Sequence, residues 1–138
     1  MVVFKFGRFL FSGDCVECMA CSDNVVRAGL TGKFKDVTTL VEMLDYTPTT
    51  AAEQIMSVGE REDGVRNYRP PVRDFAVDRL VGEGCFEGRA SPEIVLCTDG
   101  SGAINGVEMK QGSVVYIVPY TKVQVTGDAT FFAAHCQD

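Results

Sequence analysis

From Tyr68 to the end, the chain is a succession of short apolar runs cut by glycines. Runs recurring at intervals of about eight to twelve residues with turn residues between them leave few options beyond a β-sandwich or barrel. Phe75-Ala76-Val77-Asp78-Arg79-Leu80-Val81 alternates as a strand, and Glu83 to Arg89 reads as a turn with a short strand. Glu93 to Thr98 reads as a buried strand, and Asp99-Gly100-Ser101-Gly102 as the hairpin turn that closes it. Ala103 to Val107 leads into a further short strand, Ser113 to Val118 forms another, and Val123-Gln124-Val125 and Thr130 to Ala134 are read as two more.

The first half is organised differently. Residues 1–11 alternate loosely and predict a strand bent at Gly7. Cys15 to Cys21 predicts a second strand, mixed on both faces, and Val25 to Leu30 is a short run with Arg27 inside it. Asp36 is placed to cap a helix, because Val37, Leu40, Val41 and Leu44 follow at helical spacing and Pro48 stops the run. Residues 49–67 are polar and read as a linker or long surface loop, with a helical turn near Ala51 to Met56. The expected organisation is therefore 1–48, a linker over 49–67, and a β domain over 68–138.

Composition narrows the partners. The 138 residues carry a net charge of −6, which argues against nucleic acid and anionic membranes, since phosphate backbones attract basic surfaces. No apolar run reaches the roughly 18 residues a membrane helix needs. The opening MVVFKFGRFLF is broken by Lys5 and Arg8 and lacks a small-residue cleavage site, so no signal peptide is expected. The expectation is a cytoplasmic protein whose six cysteines are mostly free thiols.

The densest chemistry lies between Gly13 and Val37. Cys15, Cys18 and Cys21 have the spacing of zinc and iron–sulfur sites. On a strand, however, side chains three apart face opposite ways, and a fourth ligand is missing. Small buried cysteines fit the pattern better. Gly100 to Gly106 does not match a phosphate loop, and His135 has no sequence partner and reads as a surface residue. Arg27, with Asp23, Lys33 and Glu17, can hold a phosphate or steady an oxyanion. Local pattern alone favours the simpler reading, an Asp23–Arg27 pair in a turn with Lys33 in solvent.

Residues 12–48 change that balance. Glu17-Cys18-Met19-Ala20 followed by Ser22-Asp23-Asn24-Val25-Val26-Arg27-Ala28-Gly29 closely resembles type I mannose-6-phosphate isomerases of animal or fungal kind. The resemblance resumes at Tyr68-Arg69-Pro70-Pro71 and runs to the C-terminus, covering the C-terminal third or so of a family member. It implies a mainly β fold of cupin jelly rolls: a C-terminal cupin, remnant strands of a second cupin, and one short helix. It implies zinc and the interconversion of mannose 6-phosphate and fructose 6-phosphate through a cis-enediol, a step in mannose metabolism that supplies GDP-mannose. By resemblance Arg27 falls on the active-site arginine, and Asp23, Lys33 and Glu17 on positions that line or support the pocket.

The sequence departs from the family at the metal. Where the family has a zinc-binding histidine in a Pro-His-Ala-Tyr segment, this chain has Arg8, flanked by Gly7, Phe9, Leu10 and Phe11. The other three implied ligands lie in family sequence upstream of this match. Thr31-Gly32-Lys33 has glycine where the family has proline, and Gly112 to Val125 carries valine and lysine where a cupin's metal ligands would stand. The expectation is a family member that binds no zinc by itself and is inactive alone. The alternative is a non-catalytic module that binds a sugar phosphate or self-associates through unpaired strand edges.

Overall fold

The computed structural model describes residues 14–21, 26–27, 32–61 and 64–137. The chain divides into two compact units, Met1–Met56 and Ser57–Asp138.

In the first unit, two short helices are set by their caps. Helix α1 spans Val37–Met43, and the Asp36 carboxylate accepts from the Thr39 amide at 3.0 Å, as the sequence leads one to expect. Helix α2, Ala51–Gln54, opens on a capping box: the Thr50 amide donates to Glu53 at 2.7 Å and the Glu53 amide to the Thr50 hydroxyl at 3.3 Å. No residue of α1 is buried. Val37 and Val41 of the expected apolar stripe are 61% and 50% exposed. The strand predicted over Cys15 to Cys21 is not formed. An uneven pattern with no clean apolar face gives that stretch little to zip against a neighbour. The strands expected over residues 1–11 and Val25 to Leu30 lie outside the described residues, apart from Val26 and Arg27.

The second unit is one antiparallel sheet of eight strands: β1 (Val58–Glu60), β2 (Arg66–Tyr68), β3 (Ala76–Val81), β4 (Gly84–Phe86), β5 (Glu93–Ile104), β6 (Val107–Lys110), β7 (Val114–Ile117) and β8 (Val123–His135). The order is β1-β2-β3-β8-β5-β6, with β4 added to β8 and β7 to β5, and the sheet does not close. The mainly β class expected from sequence is thus observed. Strand β1 and the first two residues of β2 fall within 49–67, where polarity alone suggests loop. Three-residue strands, β1 exposed throughout and β2 buried only at Tyr68, are too short for apolar alternation to betray them.

Two long strands organise this unit. β8 pairs with β3 and β4 along one edge and with β5 along the other, running as a single strand where the sequence suggests two. Its inward residues Val123, Val125, Ala129, Phe131 and Ala133 share one core with Val95, Cys97 and Ile104 of β5. The parity of β5 changes part-way, from odd inward positions to even ones. The cause is a bulge between Cys97 and Asp99: Cys97 faces Phe131, Asp99 faces Thr130, and Thr98 is the extra residue. The Thr98 hydroxyl donates to the Thr130 carbonyl at 3.2 Å and stitches the bulge shut.

The bulge also corrects the reading of Asp99-Gly100-Ser101-Gly102, which does not turn. These residues continue β5, and the reversal comes at Asn105-Gly106, whose φ values of 49° and 77° suit a two-residue hairpin pairing Ile104 with Val107. Gly100 and Gly102 serve close approach instead. A Cβ on either would collide with a β8 carbonyl, that of Asp128 or of Thr126. The C-terminus is tied down by Gln137, whose Nε2 lies 2.9, 2.6 and 3.0 Å from the carbonyls of Pro70, Val72 and Phe75.

Candidate functional site

The residues singled out by sequence lie in the first unit. Arg27 is half-buried, whereas Glu17 and Lys33 are exposed. No hydrogen bond or ion pair joins these three to any other described residue. Asp23 and Arg8 lie outside the described residues. Cys15 and Cys21 are exposed and Cys18 is half-buried, so the first two are not the small core residues that packing would want. Burial pushes the Cys18 thiol up from its ordinary pKa.

Zinc, implied by the resemblance, needs convergent donors. Among the described residues no three His, Cys, Asp or Glu side chains gather where they could hold a metal. The described donor set therefore does not fit a zinc site.

The second unit holds a polar cluster that sequence reasoning missed. Alternation along β3 sends Asp78 inward with Ala76 and Leu80, and it is 2% exposed. Asn67 Nδ2 donates to Asp78 Oδ1 at 2.6 Å, and Arg89 Nη2 donates to Asp78 Oδ2. Arg89 Nε stands 3.5 Å from Glu93 Oε2, four residues on. His135 closes the group, with Nε2 at 3.6 Å from Asp78 Oδ2 and Nδ1 at 2.7 Å from the Cys136 carbonyl. Burial alone would raise the Asp78 pKa. His135, Asn67 and Arg89 outweigh it and hold the carboxyl below its ordinary value.

His135 is thus buried, not a surface residue. Its partner comes from 57 positions upstream by sheet register, since Ala76 faces His135 and Asp78 faces Ala133. The available signal was the acid at an inward position of an otherwise apolar strand. A buried carboxylate needs a cation, and the run from Glu87 to Glu93 offers only Arg89.

Comparison with known proteins shows what the chain resembles. A mannose-6-phosphate isomerase of Aspergillus fumigatus is 39% identical over 150 residues, covering 91% of this chain and 33% of the relative. That of Saccharomyces cerevisiae is 40% identical over 138 residues, covering 90% and 32%. The chain matches the C-terminal portion of a mannose-6-phosphate isomerase. A solved mannose 6-phosphate isomerase from Salmonella typhimurium, bound to fructose 6-phosphate and zinc, superposes with a TM-score of 0.74 at 26% identity. That superposition covers 87% of this chain and 32% of the bacterial isomerase. The chain spans about a third of the length of the isomerases it matches. No protein-family model matches it.

Proposed function

We propose that these 138 residues carry the active-site arginine segment and the C-terminal cupin of a mannose-6-phosphate isomerase. On this reading residues 1–48 are a remnant of the catalytic cupin, 49–67 a connection, and 68–138 the second cupin. Arg27 is the catalytic cation for aldose–ketose isomerisation, steadying negative charge as the proton moves between C1 and C2. Lys33, Asp23 and Glu17 line or support the sugar-phosphate pocket. The observation that carries this is the match to isomerases along about 90% of the chain.

By themselves these residues do not complete the reaction. Three of the four implied zinc ligands belong to family sequence upstream of the match, and Arg8 stands at the fourth. A guanidinium there repels a divalent cation. The chain alone accordingly binds no stoichiometric zinc, and its working place is the cytoplasm. In a coupled assay with mannose 6-phosphate and added zinc, the purified chain is expected to show no turnover. Turnover above background would overturn the reading. Calorimetry with mannose 6-phosphate then separates a surviving pocket, which releases heat at millimolar ligand, from a pocket lost with the missing ligands.

A further inference from the structure

Among the described residues, β1, β4, β6 and β7 each pair on one side only and leave an open edge. Three of these edges are guarded. β1 carries Glu60, and β6 carries Glu108 and Lys110. β4 is three residues long and stands between Glu83 and Glu87. Charge and brevity of this kind keep strand edges from pairing with other chains. β7 lacks such a guard, because no charged residue lies from Gln111 to Thr121. Its side chains alternate: Val115 and Ile117 turn to the core, while Val114 and Tyr116 turn outward and are 61% and 59% exposed. Val118 continues the outward row, and Ile94 of β5 stands beside Tyr116 on the same face.

The backbone of β7 alternates as well. The Cys97 amide donates to the Ser113 carbonyl at 2.9 Å, so the odd-numbered residues of β7 turn their N–H and C=O groups toward β5. Val114 and Tyr116 therefore turn theirs to the open side, where no described residue bonds to them. Charge decides what can lie there. A strand with charges at alternate positions would set them, stripped of water, against Val114 or Tyr116. β7 itself meets the requirement. Turned about a two-fold axis near Val115, it places each Val114 opposite the partner's Tyr116, with no like charges facing. We propose that β7 pairs antiparallel with β7 of a second copy of this chain, joining the two sheets edge to edge. A four-residue edge is small for an interface, so the dimer is weak, with a dissociation constant of about 100 μM. The pairing uses nothing from the arginine segment and is independent of the isomerase reading.

Sedimentation equilibrium of the purified chain reads the association, and amide exchange at low and high protein concentration locates it. A monomer–dimer equilibrium is expected. The amides of Val114 and Tyr116 should slow severalfold as the dimer fills, while those of Val115 and Ile117, already turned to β5, should change little. Tyr116→Pro removes an N–H that the β5 ladder does not use and is expected to leave a folded monomer. Should that variant fail to fold, Tyr116→Lys keeps the backbone donor and sets two like charges near the axis. It is expected to weaken association at least tenfold. A chain that stays monomeric at about 1 mM, ten times the expected dissociation constant, would overturn the proposal. So would a dimer that survives a folded Tyr116→Pro or an unweakened Tyr116→Lys, or concentration-dependent protection at β1, β4 or β6 in place of Val114 and Tyr116.

Discussion

The two units contrast in where their chemistry lies and what holds it. Residues 14–56 contain the densest family motif, yet none of their described residues is buried. Residues 57–138 look quiet in sequence, yet they contain every buried apolar residue among those described, and a buried charge cluster. The lesson is that motif density and structural support are separate properties. The motif Asn24-Val25-Val26-Arg27-Ala28-Gly29 stands in a chain about a third as long as the isomerases it matches. The core of the second unit is completed by its own strands.

The contrast can be sharpened by substitution. Phe131 is fully buried at the centre of β8, so Phe131→Ala should cost about 3–5 kcal/mol in urea unfolding. A smaller loss would mean that the core tolerates a void and that the second unit is less closely packed than its burial implies. Asp78→Asn leaves Arg89 with only the longer contact to Glu93, and the expected loss is about 3 kcal/mol. This effect has a pH signature. The folded-state pKa of Asp78 is depressed, so its stabilisation is full above the ordinary aspartate value of 3.8 and is lost as pH falls through the lower folded value. The urea midpoints of wild type and Asp78→Asn should therefore converge below pH 3.8 and stay apart above it. A gap independent of pH would assign the loss to packing.

Two glycines with similar positive φ offer an internal control. Gly100 has φ 73° and lies against the Asp128 carbonyl, while Gly106 has φ 77° and open space around it. Gly106→Ala should cost only the left-handed backbone term, about 1 kcal/mol. Gly100→Ala adds a collision between strands, for a total of about 3 kcal/mol. Equal costs would mean that β5 and β8 part easily at this crossing. The smallest expected effect is in the first unit. Asp36→Ala should lower helical ellipticity while leaving the urea midpoint of the β unit unchanged, because α1 buries nothing.

What could be seen in sequence followed the range of the interaction. The α1 cap was legible, because Asp36 and Thr39 are three residues apart and the cap is local chemistry. Strand β3 was legible from alternation, and the first half of β5 and β7 from apolar runs bounded by turn residues. The bulge was not, because a one-residue shift at Thr98 is decided by pairing with β8, some thirty positions on. For the same reason Asp99 to Gly102 passed for a turn. Their glycines answer a crowding that only the folded pair of strands creates, while Asn105-Gly106 carried the stronger two-residue signal. The Asp78–Arg89–His135 cluster was hidden by distance along the chain. The proposed site residues Arg27, Asp23, Lys33 and Glu17 were visible through likeness to a family, and none of those described is bonded to the others.

Native-state hydrogen exchange tests the contrast most directly. Amides of β5 and β8 should exchange only through global unfolding, with protection tracking the urea stability, while those of Val37–Met43 should exchange at nearly unprotected rates. Protection in Val37–Met43 comparable to that of Phe131 and Val95 would contradict the account, since the arginine-bearing unit would then have structural support of its own.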